Sequence, residues 1–508
     1  MPTNTTTDFI AALDLWDNVT DPKRKMTDQE LALVVSYAEG AKDAEGYQWP
    51  RFQKLLINRC DFDKADAVAT VRASKVKAAL GLYPYTETQF IPAYLAAYGY
   101  RMTFNEDFVL PNGVTHGMAR MLDELKMWTN AYGIFKNTYD SALRSFIEDE
   151  RFQIARRAFG ELRYDANLDP GHTELRKWLS LVLRPTGDEE ADAQMMEASV
   201  LAMVNWIHRV KNHIGAYGNI KGVGGAARWF HYSHMMPVFY GAQEDGKTMA
   251  VRHLLSSLGD LFTGAGFELL EDNSKQYRLT YMPVMMFDEL AGLKNANVEK
   301  LKGMMTEERR DIRQIYQAAS SRTLVTSFIG CTNEDINGLI KDKSGNRRYF
   351  QMITQPIDVG AMKAIDTLKI WKSVDEDETV APMIADRLKL EALRKSQSDQ
   401  RFKSSTEEWT EECSTIPANE WVGATRLFTD SFYPWLERSY PSETKFANVN
   451  KFSRELKRLT LQKGSLVELR TSRKEGNSYR IAPNNVISIA TERKIRLQDM
   501  IKNKSDDR

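Results

Sequence analysis

The stretch that decides the fold covers residues 235–248 and reads MMPVFYGAQEDGKT. A short apolar run ends at Tyr240, the pattern GxxxxGKT follows from Gly241 to Thr248, and apolar residues then recur at helical spacing. Strand, glycine-containing loop and helix in this order are typical of a phosphate-binding loop. The stretch therefore predicts an α/β domain with a parallel sheet around this loop; the alternative is a glycine turn without a ligand.

The residue types of the loop fit a nucleotide phosphate. Its glycines let backbone N–H groups wrap a polyphosphate, the ammonium group of Lys247 reaches the β and γ phosphates, and the hydroxyl group of Thr248 binds Mg²⁺. The positive end of the following helix attracts the same anion. ATP and Mg²⁺ are therefore the predicted cofactors. The predicted nucleotide-binding residues are Gly241, Ala242, Gln243, Glu244, Asp245, Gly246, Lys247, Thr248 and Met249.

Composition limits the class of protein. A chain of 508 residues is too long for one hydrophobic core, so several domains are expected. Basic and acidic residues balance at 69 each, yet residues 451–508 hold 15 basic and 7 acidic residues, which favours a nucleic-acid partner for that end. The widely spaced Cys60, Cys331 and Cys413 argue against a disulfide framework or a zinc ribbon. Because neither a secretory signal pattern nor a long apolar run occurs, we expect a cytoplasmic protein with no membrane partner.

Residues 1–199 are predicted to be a mostly helical N-terminal region. Its basic stretch from Arg51 to Lys77 fits either a nucleic-acid contact or, because three aspartates interrupt it, an ordinary solvated helical face. The glycine-rich stretch from Gly215 to Gly225 is predicted to be a flexible loop, since no strand precedes it and no Lys-Ser/Thr pair follows it. The nearby histidines are interpreted as scattered core or surface residues.

Two more apolar runs end in polar residues that suit ATP hydrolysis. The run VMMF precedes Asp288 and Glu289; the first acid at such a strand end holds magnesium through water, and the second polarises the attacking water. The run LVTSFIGCT ends at Asn333, whose amide can bind the γ-phosphate or orient that water. The pair Arg347 and Arg348 stands just before a fourth predicted strand.

Taken in order, the segments GAQEDGKT, MMFDEL, LKGMMTEERRDIRQIY, GCTN and GNRRYF resemble the virulence-associated protein E family. These are phage and genomic-island replication proteins with a superfamily 3 helicase domain, and the similarity covers about residues 200–355. It implies an AAA+-related ATPase with sheet order 5-1-4-3-2 that assembles as a ring, usually a hexamer, around DNA. No acidic primase motif is found, so a separate primase or polymerase is a further expected partner.

The resemblance also implies roles for single residues. Lys247 and Thr248 correspond to Walker A, Asp288 and Glu289 to Walker B, Asn333 to the sensor, Arg347 or Arg348 to an arginine finger, and Lys302 to the DNA-contacting segment. The chain departs from the family pattern at Glu244 and Asp245, where small residues are more usual, and at Cys331, where a threonine is more usual. Acidic groups facing the phosphate would repel it.

The remaining chain is predicted to hold a charged linker over 373–416, a winged-helix domain over 417–485 and a basic tail over 486–508. One apolar helical face is followed by a second whose opposite face is basic, and two short strands then flank SRKEGN, as in a winged helix. The alternative is a small α+β module that contacts protein. The predicted DNA contacts here are Lys451, Arg454, Arg458, Arg473 and Lys474.

These patterns predict an ATP-dependent DNA helicase or replication initiator of phage or mobile-element type. It would hydrolyse ATP in a ring that holds single-stranded DNA in its channel and duplex at the winged helix. Two alternatives remain: a P-loop small-molecule kinase, and a DNA-binding initiator or interference protein that uses ATP only as a switch.

Overall fold

The computed structural model describes residues 5–135, 139–220, 234–272, 275–290, 295–312, 320–335, 348–377, 390–391, 393–394, 404–412, 420–460, 467–472 and 476–481. Within them the protein is mixed α/β, with a helical N-terminal region and a five-stranded parallel sheet, as predicted. The chain divides into two compact units, Met1–Leu339 with Arg347–Gln397, and Ile340–Asn346 with Ser398–Arg508.

The N-terminal region begins with helices whose starts are capped by short polar side chains. The Thr5 hydroxyl accepts the backbone N–H of Asp8, whose carboxylate in turn accepts the backbone N–H of Thr5. The helices are Thr6–Asp17 (α1), Asp28–Gly40 (α2), Gln48–Cys60 (α3), Lys64–Leu80 (α4), Glu87–Ala97 (α5), Met118–Tyr132 (α6), Tyr139–Leu162 (α7), Thr173–Val182 (α8) and Glu189–Tyr217 (α9). Three short antiparallel strands precede α6: Arg101–Met102 (β1), Phe108–Val109 (β2) and Thr115–His116 (β3).

The central sheet follows α9. Its strands are Met236–Tyr240 (β4), Phe262–Ala265 (β5), Val284–Phe287 (β6), Ser327–Thr332 (β9) and Tyr349–Ile353 (β10). They pair in parallel in the order β10-β4-β9-β6-β5, which is the 5-1-4-3-2 order that the resemblance implies. Every residue of β6 and β9 is buried, which is why these strands read as continuous apolar runs.

Helical segments and one hairpin connect the strands of this sheet or follow its last strand, β10. The helices are Lys247–Leu255 (α10), Glu268–Glu271 (α11), Asn295–Thr306 (α12), Val359–Lys363 (α13) and Thr367–Lys372 (α14), with 3₁₀ turns at Ser256–Leu261 and Lys275–Thr280. The antiparallel hairpin of Arg309–Ile312 (β7) and Ser320–Thr323 (β8) lies between α12 and β9. The Trp206 indole of α9 donates to the carbonyl of Phe328, which fixes this helix against β9. Among the described helices, none has the length and apolarity to cross a bilayer.

The second unit has its own core. Its elements are Ser405–Glu412 (α15), Val422–Gly423 (β11), Ala424–Leu427 (α16), a π-helical turn at Phe428–Phe432, Tyr433–Ser439 (α17), a 3₁₀ turn at Pro441–Phe446, Val449–Thr460 (α18), Val467–Ser472 (β12) and Gly476–Ile481 (β13). The three strands pair antiparallel in the order β11-β13-β12.

One part of the predicted charged linker belongs to this second core. Helix α15 lies within 373–416, yet Trp409 is fully buried and its ring packs on Phe432 and Phe452. The charged residues around Trp409 dominate the local composition, whereas a single large aromatic side chain is enough to fix a short helix to a core. The average composition of residues 373–416 therefore gives no indication that this helix belongs to a folded core.

Candidate nucleotide-binding site

Three neighbouring strands of the sheet end in the residues that the sequence singled out. Strands β4, β9 and β6 are adjacent and parallel, so their carboxyl ends share one edge of the sheet. Loop 241–246 follows β4, Asp288 and Glu289 follow β6, and Asn333 follows β9. Ligands of open parallel sheets bind outside the carboxyl ends of the strands, so this edge is the candidate site.

The backbone of loop 241–246 requires glycine at two places. A Cβ atom at Gly241 would lie 2.0 Å from Oγ1 of Thr354 and 2.7 Å from Oδ2 of Asp245, so no side chain fits there. Gly246 has φ = 85°, in the left-handed region, and the first turn of α10 begins directly after it. The loop is also tied to the chain after β10, since Ile357 N–H donates to the carbonyl oxygen of Asp245 at 3.0 Å.

Lys247 lies under this loop and is only 7% exposed. Its ammonium group donates to the carbonyl oxygens of Gly241, at 3.0 Å, and Ala242, and to Oδ1 of Asn333 at 2.8 Å. All three acceptors are neutral. Within the described part of the chain, no carboxylate lies within 4.0 Å of this ammonium group. Its positive charge is therefore available to an anion at the loop.

Asn333 joins Lys247 to Glu289. Its amide nitrogen donates to Oε2 of Glu289 at 2.7 Å, while its amide oxygen accepts from Lys247. The sensor asparagine, the Walker A lysine and the second Walker B acid predicted from the sequence are thus linked by hydrogen bonds. A water held by Glu289 would be oriented through the same amide.

The first acid, Asp288, has a partner that sequence reasoning missed. Arg252 Nη2 lies 2.8 Å from Oδ2 of Asp288, and the two side chains are 57% and 49% exposed. Arg252 stands four residues after Thr248 on α10, so both side chains share one face of that helix. The four-residue spacing from Thr248 is the sequence feature that could have predicted Arg252 as a residue of this site.

The chemistry of the side chains fits a magnesium ion bound mainly through a nucleotide. The hydroxyl of Thr248 and the carboxylate of Asp288 are hard oxygen ligands, and Asp288 already attracts a cation. Among the described residues, no group of three or more His, Cys, Asp or Glu side chains could hold a metal alone. Phosphate oxygens and water would have to supply the other ligands, as they usually do for Mg²⁺.

Cys331 lies beneath these groups in β9. It is 1% exposed, and burial raises the pKa of its thiol to about 12, although a hydrogen bond with the Thr248 side chain opposes the shift. The side chain is therefore a neutral thiol at physiological pH. A threonine hydroxyl, more usual at this position in the resembled family, could make the same hydrogen bond to Thr248.

The two acids of the loop have different environments. Glu244 is exposed at the rim, with φ = 72°, beside the exposed Ala242 and Gln243. Asp245 is 8% exposed, and its Oδ2 atom is buried near Gly241 and the Thr354 hydroxyl, on the side of the loop that faces the chain after β10. Residues Gly246, Thr248 and Met249 are half-buried at the start of α10.

Arg348 lies at the end of the strands opposite to loop 241–246. Tyr349 of β10 pairs with Met236 at the start of β4, and Met236 N–H donates to the carbonyl of Arg348 at 2.8 Å. Because β4 has five residues, at about 3.3 Å per residue, Arg348 is roughly 16 Å along the strand from loop 241–246. Arg347 is outside the described residues.

The structure does not bring Lys302 to a surface that DNA could reach. Lys302 is 7% exposed on α12, and its ammonium group lies 2.7 Å from Oε1 of Glu299. Residues Val298, Leu301 and Met305 are buried on the same helix, so the inward face carries Lys302 along with them. The exposed lysine of this helix is Lys300, two residues earlier.

In the second unit, Lys451 and Arg454 are exposed on one face of α18, as predicted, and Lys457 joins them. Arg458 is half-buried instead, with Nη2 2.9 Å from Glu455 and 3.7 Å from Glu407. Arg458 therefore faces α15, which lies outside the bounds 417–485 predicted for this domain. Arg473 and Lys474 are outside the described residues.

Comparison with known proteins gives one family and several solved structures. A family model described as the virulence-associated protein E-like domain matches residues 217–380. Among curated proteins, no sequence matches. An apo structure of the NrS-1 C-terminal region is 11% identical, covering 65% of this chain and 75% of that one, with a TM-score of 0.30. A structure of JCV helicase with a bound acetamide compound is 11% identical, covering 54% and 76%, with a TM-score of 0.21.

Proposed function

We propose that this chain is an ATP-dependent DNA helicase or replication initiator of phage or mobile-element type, since a family model described as the virulence-associated protein E-like domain matches residues 217–380. One observation carries the proposal: Lys247, Asn333 and Glu289 are joined by hydrogen bonds at the carboxyl edge of a five-stranded parallel sheet. A cation, an amide and a carboxylate in this order are what binding a γ-phosphate and activating a water require.

The chain's own residues have separable roles in hydrolysis. Lys247 exchanges its neutral carbonyl acceptors for phosphate oxygens and stabilises the charge that grows on the γ-phosphate. Glu289 polarises the attacking water, and Asn333 fixes the Glu289 carboxylate while contacting the phosphate side. Thr248 and Asp288, together with the phosphates, would hold Mg²⁺, which would supply positive charge to the nucleotide phosphates.

We further propose that an arginine from a neighbouring subunit completes the site. Arg348 is about 16 Å along the strand from its own loop 241–246, which exceeds the length of an arginine side chain. In a ring, the end of one sheet that holds Arg348, at the amino ends of β4 and β10, can face the nucleotide of the next subunit. Arg347 or Arg348 would then act in trans, as arginine fingers do.

DNA contacts are proposed at two places. In the second unit the order helix, strand, two helical segments and hairpin is that of a winged helix, and the exposed Lys451, Arg454 and Lys457 of α18 suit a duplex. For the strand in the ring channel, Lys300 and Arg309 are exposed in the segment where Lys302 was expected. These two residues replace Lys302 as the candidates.

The assay that tests the function is ATP hydrolysis by the full chain with and without DNA, using Glu289→Gln alongside the wild type. We expect DNA to stimulate hydrolysis, and Glu289→Gln to bind ATP while hydrolysing it about 10²-fold more slowly, because a general base contributes at least that much. A rate of ATP hydrolysis that is the same with and without DNA would favour a small-molecule kinase. ATP binding without hydrolysis would favour an initiator or interference protein that uses ATP as a switch.

Mixing tests the shared site. Lys247→Ala and the double variant Arg347→Ala, Arg348→Ala should each, when alone, hydrolyse ATP at least about 10²-fold more slowly than the wild type. Mixed, they should regain part of the activity, since some interfaces then combine an intact loop with intact arginines. No recovery, together with a monomer in sizing experiments with ATP, would contradict the ring.

A further inference from the structure

The ion pair between Arg252 and Asp288 is unexplained by ATP hydrolysis as described above. Arg252 Nη2 lies 2.8 Å from Oδ2 of Asp288, the carboxylate that would hold magnesium through water. Arg252 is one helical turn beyond Thr248, the other residue proposed to hold magnesium. A guanidinium group therefore lies at the carboxylate that the metal needs.

We propose that Arg252 and Mg²⁺ compete for the Asp288 carboxylate, so that Arg252 sets the magnesium concentration at which the site holds a nucleotide. This inference rests on the proposed function. Two cations near one carboxylate repel each other, so the metal binds favourably only when the guanidinium moves away. Arg252 is then a positioning residue, which acts through Asp288.

The exposure of the pair makes the exchange reversible. The Arg252 side chain is 57% exposed and that of Asp288 49%, so the guanidinium can turn into water without leaving an unsatisfied buried donor. An exposed pair of this kind is weak, and removing it should change a competing equilibrium by about two- to fivefold. A buried arginine would instead exclude the metal.

The experiment is a magnesium titration of nucleotide binding by the full chain, with a fluorescent ADP held at fixed concentration. The readout is the Mg²⁺ concentration at half-maximal binding, which does not depend on hydrolysis. Arg252→Gln should lower this midpoint about two- to fivefold. Arg252→Lys, which keeps a cation at this position, should lie near the wild type.

A matched control is available in the same unit. Arg101 and Asp260 form another exposed arginine–aspartate pair, at 3.0 Å, with side chains 65% and 39% exposed. Arg101→Gln removes the same charge from a similar pair, and its magnesium midpoint should equal that of the wild type. A melting temperature measured for each variant separates loss of fold from loss of competition.

The route through Asp288 has its own test. In an Asp288→Asn background, adding Arg252→Gln should leave the midpoint where Asp288→Asn alone puts it, because the contested carboxylate is gone. An unchanged midpoint in Arg252→Gln would overturn the competition. A raised midpoint would overturn it in the other direction, by making Arg252 a nucleotide ligand. A wild type that binds no nucleotide at any magnesium concentration would reject the proposed function, and this inference with it.

Discussion

Lys211 and Lys247 are two buried lysines with nearly the same set of hydrogen bonds. Lys211, in α9, donates to the carbonyl oxygens of Trp371 and Val374 at 3.3 and 2.6 Å. Lys247 donates to the carbonyl oxygens of Gly241 and Ala242. Their third contacts differ, because Lys211 is 2.6 Å from a carboxylate oxygen of Glu376, whereas Lys247 donates to the neutral amide oxygen of Asn333.

That one difference separates a lysine paired with a carboxylate from a lysine that has only neutral acceptors. Lys211 is fully buried; burial lowers its pKa, and the Glu376 carboxylate opposes that shift. Glu376 also accepts the backbone N–H of Tyr164 at 3.0 Å, so the pair is held on both sides. Lys247 is buried almost as deeply, but its charge has no counter-charge among the described residues. Counter-charge, rather than burial, distinguishes the two lysines, and the proposed function assigns the phosphate to the lysine without one.

The largest expected effect is on stability. Lys211→Met leaves the buried Glu376 carboxylate with only the exposed Arg163 guanidinium, at 3.8 Å, as a cationic neighbour, which should lower the free energy of unfolding by about 3–5 kcal/mol. Urea unfolding can be followed by tryptophan fluorescence, since the Trp206 and Trp371 rings lie 5.9 Å apart near this pair. The double variant Lys211→Met, Glu376→Gln should recover most of the loss, because the charge is then removed and the acceptor for Tyr164 is kept. A single variant as stable as the wild type would mean that the pair contributes nothing.

The second effect is on catalysis. Lys247→Ala should lower the rate of ATP hydrolysis about 10²- to 10³-fold, or about 2.7–4 kcal/mol, as expected for the loss of one stabilising donor. Its urea midpoint should stay near that of the wild type, because only neutral acceptors lose their donor. Lys177→Ala, which removes an exposed lysine paired with Glu174, is the control and should leave the rate unchanged. The comparison of the two lysines fails if Lys247→Ala unfolds the protein as Lys211→Met does.

A third change makes Lys247 resemble Lys211. In a Glu289→Gln background, which avoids placing two carboxylates in contact, Asn333→Asp puts a carboxylate oxygen where the amide oxygen now lies, 2.8 Å from the Lys247 ammonium group. Nucleotide affinity should fall about tenfold, since a charged hydrogen bond of about 1.5–3 kcal/mol must be exchanged for the phosphate contact. Asn333→Ala in the same background removes the amide without adding charge and should weaken binding less. Fluorescence anisotropy with a labelled nucleotide measures the affinity of each variant. Equal affinities for Asn333→Asp and Asn333→Ala would show that a counter-charge at Lys247 does not affect nucleotide binding.

The smallest effect concerns DNA. Lys451→Ala should lower the slope of log affinity against log salt by about one unit, as each lost phosphate contact does. Lys302→Ala should leave the slope unchanged, since this lysine is buried beside Glu299. A change of slope for Lys302→Ala would mean that α12 rearranges when DNA binds.

The sequence by itself determined the central sheet and most of the polar residues at its edge. Loop 241–246 requires glycine at position 241, where neighbouring atoms leave no room for a Cβ atom. The local sequence pattern is therefore enough to predict the loop. Residues Asp288 and Asn333 directly follow apolar runs, and parallel strands bring such ends together whatever the remainder of the chain does. Short-range sequence patterns and the order of the strands were therefore sufficient to predict which residues meet at this end of the sheet.

Only the tertiary structure decided the contacts between residues distant in the chain. Glu376 is 165 positions after Lys211, and charged residues such as these are indistinguishable in sequence from a solvated face. The burial of Lys302 and of Trp409 was likewise decided by tertiary contacts. The helical periodicity around Lys302 does not say whether its side chain faces solvent. Trp409 lies within a charged segment and is nevertheless fully buried. Charge and exposure depend on what packs against a side chain, and packing partners come from anywhere in the chain.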